Sequence, residues 1–209
     1  MLTEAKKALA SGLFDIGAVK FGEFRLKLHE KNPGAPLSPI YIDLRILRSF
    51  PDVIDAAVDV YLEMIKGLEF DLLADVPTAA TPIVALLSHR TRVPMISPRS
   101  DVKSHGIGRL IDGVYKEGQT AFLVDDLITR ADSKLESAKV LSENGLHVKD
   151  IAVLVDREQG GVQAVGEVGI TCHVAFGLKE LLRLFLEDNK IDAEQYERTV
   201  AYLMDSAGR

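Results

Sequence analysis

The chain has 209 residues, of which 47% are hydrophobic and 27% are charged, an ordinary globular composition that suits one α/β domain spanning residues 1–209. Its net charge of −6 argues against the broad basic surface that nucleic-acid binding requires. No apolar stretch approaches the roughly 20 residues of a membrane span, and the N-terminal segment does not resemble a signal peptide, so we expect a cytoplasmic protein without membrane partners. The single cysteine, Cys172, excludes an internal disulfide and is predicted to be a buried thiol on a strand.

The first part of the chain predicts a helix, two extended stretches and a second helix, in this order: residues 3–12, 21–27, 38–45 and 51–67. Thr3 is the expected N-cap of the first helix, because its hydroxyl can accept a hydrogen bond from a free backbone N–H group. The two extended stretches are separated by a polar loop containing proline and glycine, which predicts an antiparallel flap. We therefore expect residues 1–48 to contribute a small hood.

From residue 71 onward, short apolar strands alternate with helices. The predicted strands are residues 71–74, 94–97, 121–124, 148–155 and 170–174, and the predicted helices are residues 79–90, 133–144, 178–187 and 193–204. This alternation predicts a parallel sheet with helices on both faces and right-handed crossovers. Asp192 and Gln195 are spaced as in a capping box at the start of the last helix.

Ligands of such sheets bind beyond the carboxyl ends of the strands, which directs attention to three loops at residues 75–81, 98–113 and 125–133. In the third, FLVDDLITRADSK, an apolar strand runs into Asp125 and Asp126, then hydroxyl residues, then a helix. Paired carboxylates can accept hydrogen bonds from ribose hydroxyls, and a helix N-terminus can bind a phosphate. A sugar phosphate is one interpretation. The other is that the aspartates only end a strand, while Asp132 or Ser133 only caps a helix.

Four further segments add to this one: FDIGAVKFGEFRLK, SPIYIDLR, RSDVKSHG and DREQGG. In this order and spacing, the five segments resemble the type I phosphoribosyltransferases, in particular orotate phosphoribosyltransferase and the transferase half of UMP synthase, over nearly the whole chain. The resemblance implies an α/β fold with a parallel sheet and an N-terminal hood. It also implies transfer of ribose 5-phosphate from phosphoribosyl diphosphate (PRPP) to orotate in UMP biosynthesis. Mg²⁺ carried by substrate oxygens and a homodimer are expected, whereas no dedicated protein metal site is.

The resemblance assigns roles by position. Asp125 and Asp126 match the acids that hold the ribose hydroxyls. Arg99, Lys103 and His105 lie on the basic loop that is expected to close over the diphosphate, usually across a dimer interface. Arg157 of DREQGG matches the position that reaches the orotate carboxylate. The other matched substrate-binding positions are Lys27, Tyr41, Ile42, Thr78, Ala79, Thr129, Arg130, Ala131, Asp132 and Ser133.

The sequence departs from the family in three places. The usual glycine-rich turn reads Thr-Arg-Ala-Asp-Ser here, which removes glycines that let the backbone wrap a phosphate and brings Asp132 toward a dianion. Arg130 can offset that charge by pairing with Asp132 or by contacting the phosphate. Ser100 replaces a lysine found in many members, and residues 29–37 lengthen the flap loop, leaving base specificity open. The alternatives are a non-catalytic nucleotide-binding or regulatory homologue and a transferase for another base, although DREQGG favours orotate.

Overall fold

The computed structural model describes residues 2–25, 28–99 and 110–207. The α-helices of this part of the chain are α1 Glu4–Asp15, α2 Leu28–Lys31, α3 Pro51–Ile65, α4 Thr81–Thr91, α5 Asp132–Glu143, α6 Gly161–Glu167, α7 Leu178–Glu187 and α8 Ala193–Ala207. The strands are β1 Val19–Phe24, β2 Ser38–Ile42, β3 Leu72–Asp75, β4 Met95–Pro98, β5 Ile111–Asp112, β6 Ala121–Ile128, β7 Asp150–Asp156 and β8 Thr171–Gly177. A 3₁₀ helix occupies Leu44–Ser49.

The main sheet has six strands in the order β5-β4-β3-β6-β7-β8. The strands from β4 to β8 in this order pair in parallel, and β5 is an antiparallel edge strand on β4. One face packs on α1, α3, α4 and α7, and Val58, Leu181 and Val124 of β6 belong to the same buried cluster there. The other face packs on α5 and α6, where Leu141 and Leu123 belong to a second buried cluster. The predicted parallel sheet with helices on both faces is therefore confirmed.

The predicted antiparallel flap is a separate hairpin of β1 and β2. Its second strand ends at Ile42, earlier than expected, because Asp43 begins the 3₁₀ helix by accepting a hydrogen bond from the N–H group of Arg45. The hairpin is covered by α8, which contacts β2. This places the base-side positions Tyr41 and Ile42 on the hairpin rather than on the main sheet.

Helix ends confirm some predictions and correct others. The Thr3 hydroxyl accepts a hydrogen bond from the N–H group of Lys6, as predicted, but α1 continues past residue 12 to Asp15. Asp192 and Gln195 form the predicted reciprocal capping box. The helix expected at residue 79 begins at residue 81, because a proline occupies its first turn.

Two elements differ more strongly from the prediction. The strand β6 runs to Ile128, so the acidic pair lies inside the strand and not after it. The helix α6 is not predicted by the sequence, because it has only 7 residues and begins at a pair of glycines, Gly160 as its N-cap and Gly161 as its first residue. Cys172 lies on β8 as expected but is only half-buried, and burial raises the pKa of its thiol to about 11, which keeps it protonated at neutral pH. Within the described ranges, no helix is both long and apolar enough to cross a membrane.

Candidate active site

The three loops singled out in the sequence converge at the carboxyl edge of the main sheet. A cavity of about 490 Å³ lies there. Its lining comes from the β3–α4 loop, from the end of β4 with the neighbouring β5, and from the first turns of α5: Asp75, Val76, Pro77, Thr81, Ser97, Pro98, Arg99, Asp112, Ser133, Glu136, Ser137 and Val140. Polar groups from separate strand ends therefore face one space, which is the usual place for a ligand in this type of sheet.

Asp125 and Asp126 are consecutive residues within β6, and their carboxyl groups are close enough to share a side-chain hydrogen bond. Asp125 forms an ion pair with Lys134 of α5. The charges of Asp126 and Asp125 contribute to raising the pKa of the buried Tyr61 hydroxyl of α3, after the larger effect of burial. That hydroxyl donates a hydrogen bond to the backbone carbonyl of Asp125. Asp125 is thus held by both helices that flank β6, through its carboxylate and through its backbone.

Burial dominates the electrostatics of the acidic pair. Asp125 is 3% exposed and Asp126 is 8% exposed. Removal from water and the neighbouring Asp126 charge, opposed by Lys134, together raise the pKa of Asp125 to about 7. Burial also raises the pKa of Asp126 above its usual value. Asp125 therefore exchanges its proton near neutral pH, and the pKa of Asp126 is shifted in the same direction.

The two carboxylates differ in their free acceptor capacity. Asp125 uses one oxygen for the N–H group of Asp126, at 2.9 Å, and the other for Lys134. Asp126 accepts the N–H group of Leu127 at 2.7 Å through Oδ1 and shares a side-chain hydrogen bond with Asp125, whereas no N–H group among the described residues donates to its Oδ2. An outside hydroxyl group would find the more open acceptor on Asp126.

The β6–α5 turn, residues 129–133, keeps a glycine-like shape without a glycine. Ala131 precedes the helix in the left-handed conformation, with φ 71°. Neither Asp132 nor Ser133 makes a side-chain cap, so the simple capping alternative for these residues is wrong. Arg130, Asp132 and Ser133 are exposed, and no ion pair joins Arg130 to Asp132. Thr129 is half-buried beneath the turn. The first N–H groups of α5 remain free to meet an anion.

The β3–α4 loop contains Thr78 and Ala79, which do not themselves line the cavity, although their neighbours Pro77 and Thr81 do. Thr78 is exposed and Ala79 is half-buried. The guanidinium of Arg48, in the 3₁₀ helix, donates to the backbone carbonyl of Thr78 at 3.0 Å. Asp75 ends β3 with no exposed surface; its Oδ2 accepts the Thr81 hydroxyl, whereas its buried Oδ1 has no partner among the described residues.

Arg157 follows β7 next to the β6–α5 turn, and its backbone N–H group donates to the carbonyl of Ile128 at 3.0 Å. Its side-chain Nε and Nη2 atoms are buried, and no described residue accepts a hydrogen bond from them. Desolvation lowers the pKa of this guanidinium below its usual value. Buried donors without acceptors are uncommon and costly, so this guanidinium can take an acceptor that the described residues do not supply.

Some of the remaining predicted positions lie among the described residues and others do not. Tyr41 is half-buried on β2 and its hydroxyl accepts a hydrogen bond from Arg45 at 3.2 Å, while Ile42 is buried beside it. Arg99 lines the cavity and contacts Asp112 at 3.4 Å. Lys27, Lys103 and His105 lie outside the described residues, so their predicted roles stay predictions.

Three further residues were not singled out in the sequence: Asp75 lines the cavity, whereas Lys134 and Glu158 do not. Asp75 ends a buried strand just as Asp125 interrupts one, and that pattern could have identified it. Lys134 carries no such signal, because a lysine in the first turn of a helix usually points into water. Glu158, within DREQGG, has φ 57°, and its carboxylate accepts the N–H group of Lys179 at 2.9 Å, which ties the Arg157 loop to the start of α7.

Comparisons with known proteins identify close relatives, although no family model matches the chain. A uridine 5'-monophosphate synthase from Bos taurus is 34% identical over 202 residues, which cover 96% of this chain and 41% of that protein. An orotate phosphoribosyltransferase from Pyrobaculum aerophilum is 34% identical over 192 residues, which cover 91% of this chain and 95% of that protein. The structure of Leishmania donovani UMP synthase matches with a TM-score of 0.84 and 34% identity, covering 96% of this chain and 42% of the other. This chain thus spans about two fifths of either synthase but nearly all of the Pyrobaculum protein.

Proposed function

Because the chain belongs to the orotate phosphoribosyltransferase family, we propose that it transfers ribose 5-phosphate from PRPP to orotate, forming orotidine 5-phosphate and diphosphate. In this reaction a bond forms between a ring nitrogen of orotate and the anomeric carbon of ribose. The bond from that carbon to the diphosphate oxygen breaks, and the proton of the nitrogen is released. The product would serve pyrimidine nucleotide synthesis.

The buried guanidinium of Arg157 carries the proposal. Its Nε and Nη2 atoms lack acceptors within the described part of the chain, and they are spaced to bind both oxygens of one carboxylate. Orotate has such a carboxylate, whereas the otherwise similar base uracil does not. Binding orotate would therefore satisfy two buried donors at once, which favours a carboxylated base over other bases.

The acidic pair and the β6–α5 turn provide for the sugar phosphate in this proposal. The open oxygen of Asp126 would accept a ribose hydroxyl, with Asp125 adjacent to it. The free N–H groups at the start of α5 would bind the 5-phosphate, helped by Thr129 and Ser133. The backbone near Thr78 and Ala79 would approach the diphosphate from the opposite side of the cavity, and Arg99 would neutralise its charge.

Mg²⁺ is the metal that we propose for this site. The described residues contain no group of three or more His, Cys, Asp and Glu side chains that could hold a metal ion by themselves. Buried carboxylate oxygens such as those of Asp75 and Asp126 nonetheless suit a hard cation that keeps most of its contacts with phosphate oxygens. When bound with the substrate, Mg²⁺ would stabilise negative charge on the departing diphosphate. We also propose a cytoplasmic homodimer in which Lys103 and His105 assist at the diphosphate.

The test follows the absorbance of orotate after addition of PRPP and Mg²⁺ to the purified protein, with uracil in a parallel reaction. Orotate should be consumed and uracil should not. An Asp126→Asn variant should raise the KM for PRPP and lower kcat, because its amide cannot replace a carboxylate acceptor. If the parent protein binds PRPP in calorimetry but converts no orotate, the proposed activity is wrong and a non-catalytic homologue is favoured.

A further inference from the structure

Lys134 is a buried lysine that the proposed chemistry does not yet use. It lies in the first turn of α5 and is only 8% exposed. Its ammonium group pairs with Oδ2 of Asp125 and lies 3.4 Å from the Ser133 hydroxyl. Lysine is seldom buried to this extent without a specific partner, because loss of hydration of its charge is costly. The burial of this ion pair therefore calls for an explanation other than the ordinary solvation of a surface lysine.

The pair connects the two ends of the β6–α5 turn. Asp125 belongs to β6 before the turn, and Lys134 belongs to α5 directly after it. Asp125 is held additionally by the N–H group of Asp126 at 2.9 Å, so both of its carboxylate oxygens have fixed partners. An ion pair between the strand before a turn and the helix after it fixes both ends of the turn and so restrains its conformation.

Resting on the proposed function, we propose that Lys134 is a positioning residue for PRPP, which acts through Asp125 to hold both that carboxylate and the β6–α5 turn in their binding geometry. The turn contains no glycine, holds Ala131 in the left-handed conformation and carries an exposed Asp132, so its anion-binding shape needs outside support. Asp125 also keeps a free lone pair on each oxygen, so it remains an acceptor for a ribose hydroxyl while Lys134 restrains it.

Direct contact between Lys134 and the substrate is the less favoured arrangement. The ammonium group already has two partners, Oδ2 of Asp125 and, at 3.4 Å, the Ser133 hydroxyl, and neither Lys134 nor Asp125 lines the cavity. The ammonium group instead lies under the turn, against a carboxylate that is 3% exposed. The effect of Lys134 on the substrate is therefore transmitted by its partner.

The test is a double-mutant cycle on PRPP binding, measured by calorimetry with Mg²⁺ and by steady-state kinetics. Lys134→Met should weaken PRPP binding about 10- to 100-fold, the range expected for losing one hydrogen bond to a charged group, and leave the KM for orotate unchanged. In the Asp125→Asn background, the same change should have an effect of less than about threefold, because its partner is already altered. Lys134→Arg should restore part of the affinity. Lys139→Met is the matched control, since Lys139 is an exposed lysine of the same helix, and it should bind PRPP as the parent does.

Two results would overturn the proposal. If Lys134→Met weakens binding equally with and without Asp125→Asn, the lysine contacts the substrate directly. If it lowers only the fraction of folded protein and leaves the KM for PRPP unchanged, its role is confined to stability. Should Lys134→Met fail to fold, the Lys134→Arg variant and the double variant, which buries no unpaired charge, still give the comparison. A parent that binds PRPP without forming product would refute the proposed activity while leaving this binding cycle measurable.

Discussion

Replacing Arg157 by methionine should make the protein more stable and, at the same time, unable to bind orotate. Methionine keeps the length of the apolar stem but removes the guanidinium, whose Nε and Nη2 atoms are buried without acceptors in the described structure. Each buried donor left unsatisfied costs about 1–3 kcal/mol. Allowing for imperfect packing of the new side chain, we expect the free energy of unfolding to rise by about 2 kcal/mol.

A gain of this size should be easy to measure. For a chain of about 200 residues, 1 kcal/mol corresponds to about 2–4 °C in Tm, so Arg157→Met should melt about 4–8 °C above the parent. Orotate should raise the Tm of the parent but not that of the variant, and the KM for orotate should rise at least about 30-fold through loss of a charge-assisted bidentate contact. Arg183→Met, which alters an exposed arginine of α7, controls for the loss of one positive charge.

Thermal unfolding of the parent and of Arg157→Met, with and without orotate, therefore tests this role of Arg157. A variant that melts below the parent would show that the guanidinium has acceptors in the free protein. A variant that orotate still stabilises as strongly as it does the parent would remove Arg157 from base recognition. Either result would refute the reasoning that an unsatisfied arginine awaits a carboxylate.

Three further changes test the surroundings of the site. Gly161→Ala would place a Cβ atom 2.7 Å from a carbonyl oxygen of the β6–α5 turn, so it should lower the stability by about 1–3 kcal/mol and weaken PRPP binding. The control Gly166→Ala has open space around it and should be neutral or stabilising by up to about 1 kcal/mol. Chemical denaturation and calorimetry compare the two variants. The pKa of Asp125 is raised from its usual 3.8 to about 7, so the stability that this group contributes is present below pH 3.8 and is lost as pH rises through about 7. The stability of the Asp125→Asn variant relative to the parent should therefore increase between pH 5 and 8. A difference in stability that stays constant over this range would contradict the prediction. Glu158→Ala removes the carboxylate that accepts a backbone N–H group at the start of α7, so the free energy of unfolding should fall by about 1 kcal/mol. The KM for orotate should rise while the KM for PRPP stays unchanged, and steady-state kinetics would detect this difference.

The order of elements follows from the sequence because its apolar periodicity and helix caps agree. The strands of the parallel sheet read as short apolar runs, and the capping residues Thr3 and Asp192 identify helix starts correctly. The length of β6 could not be inferred, since two aspartates interrupt its apolar run before Leu127 and Ile128 resume it. Those aspartates are tolerated inside a buried strand because their carboxylates accept backbone N–H groups and Asp125 also pairs with Lys134 of α5, and a linear pattern does not show such partners.

The residues of the site also fall into those that could be predicted from the sequence and those that could not. The loops that line the cavity were predictable from the topology of a parallel sheet, and the exposed Thr78 was placed by resemblance. Lys134 was missed because its burial arises from a contact between a strand and the helix that follows it. The unpaired nitrogens of Arg157 were likewise invisible, since the absence of an acceptor is a property of packing and not of the neighbouring residues.

The backbone N–H group of Arg99 donates to the carbonyl of Leu110 at 2.8 Å, so the chain leaves the sheet and returns to it at the same point. The stretch of chain between these two residues therefore begins and ends at neighbouring points of the sheet edge. Lengthening such an interval twofold costs only about 0.6 kcal/mol in closure entropy. Changes in its length or composition should consequently leave the pairing of β4 with β5 intact, so this edge of the sheet can keep its stability while the interval varies.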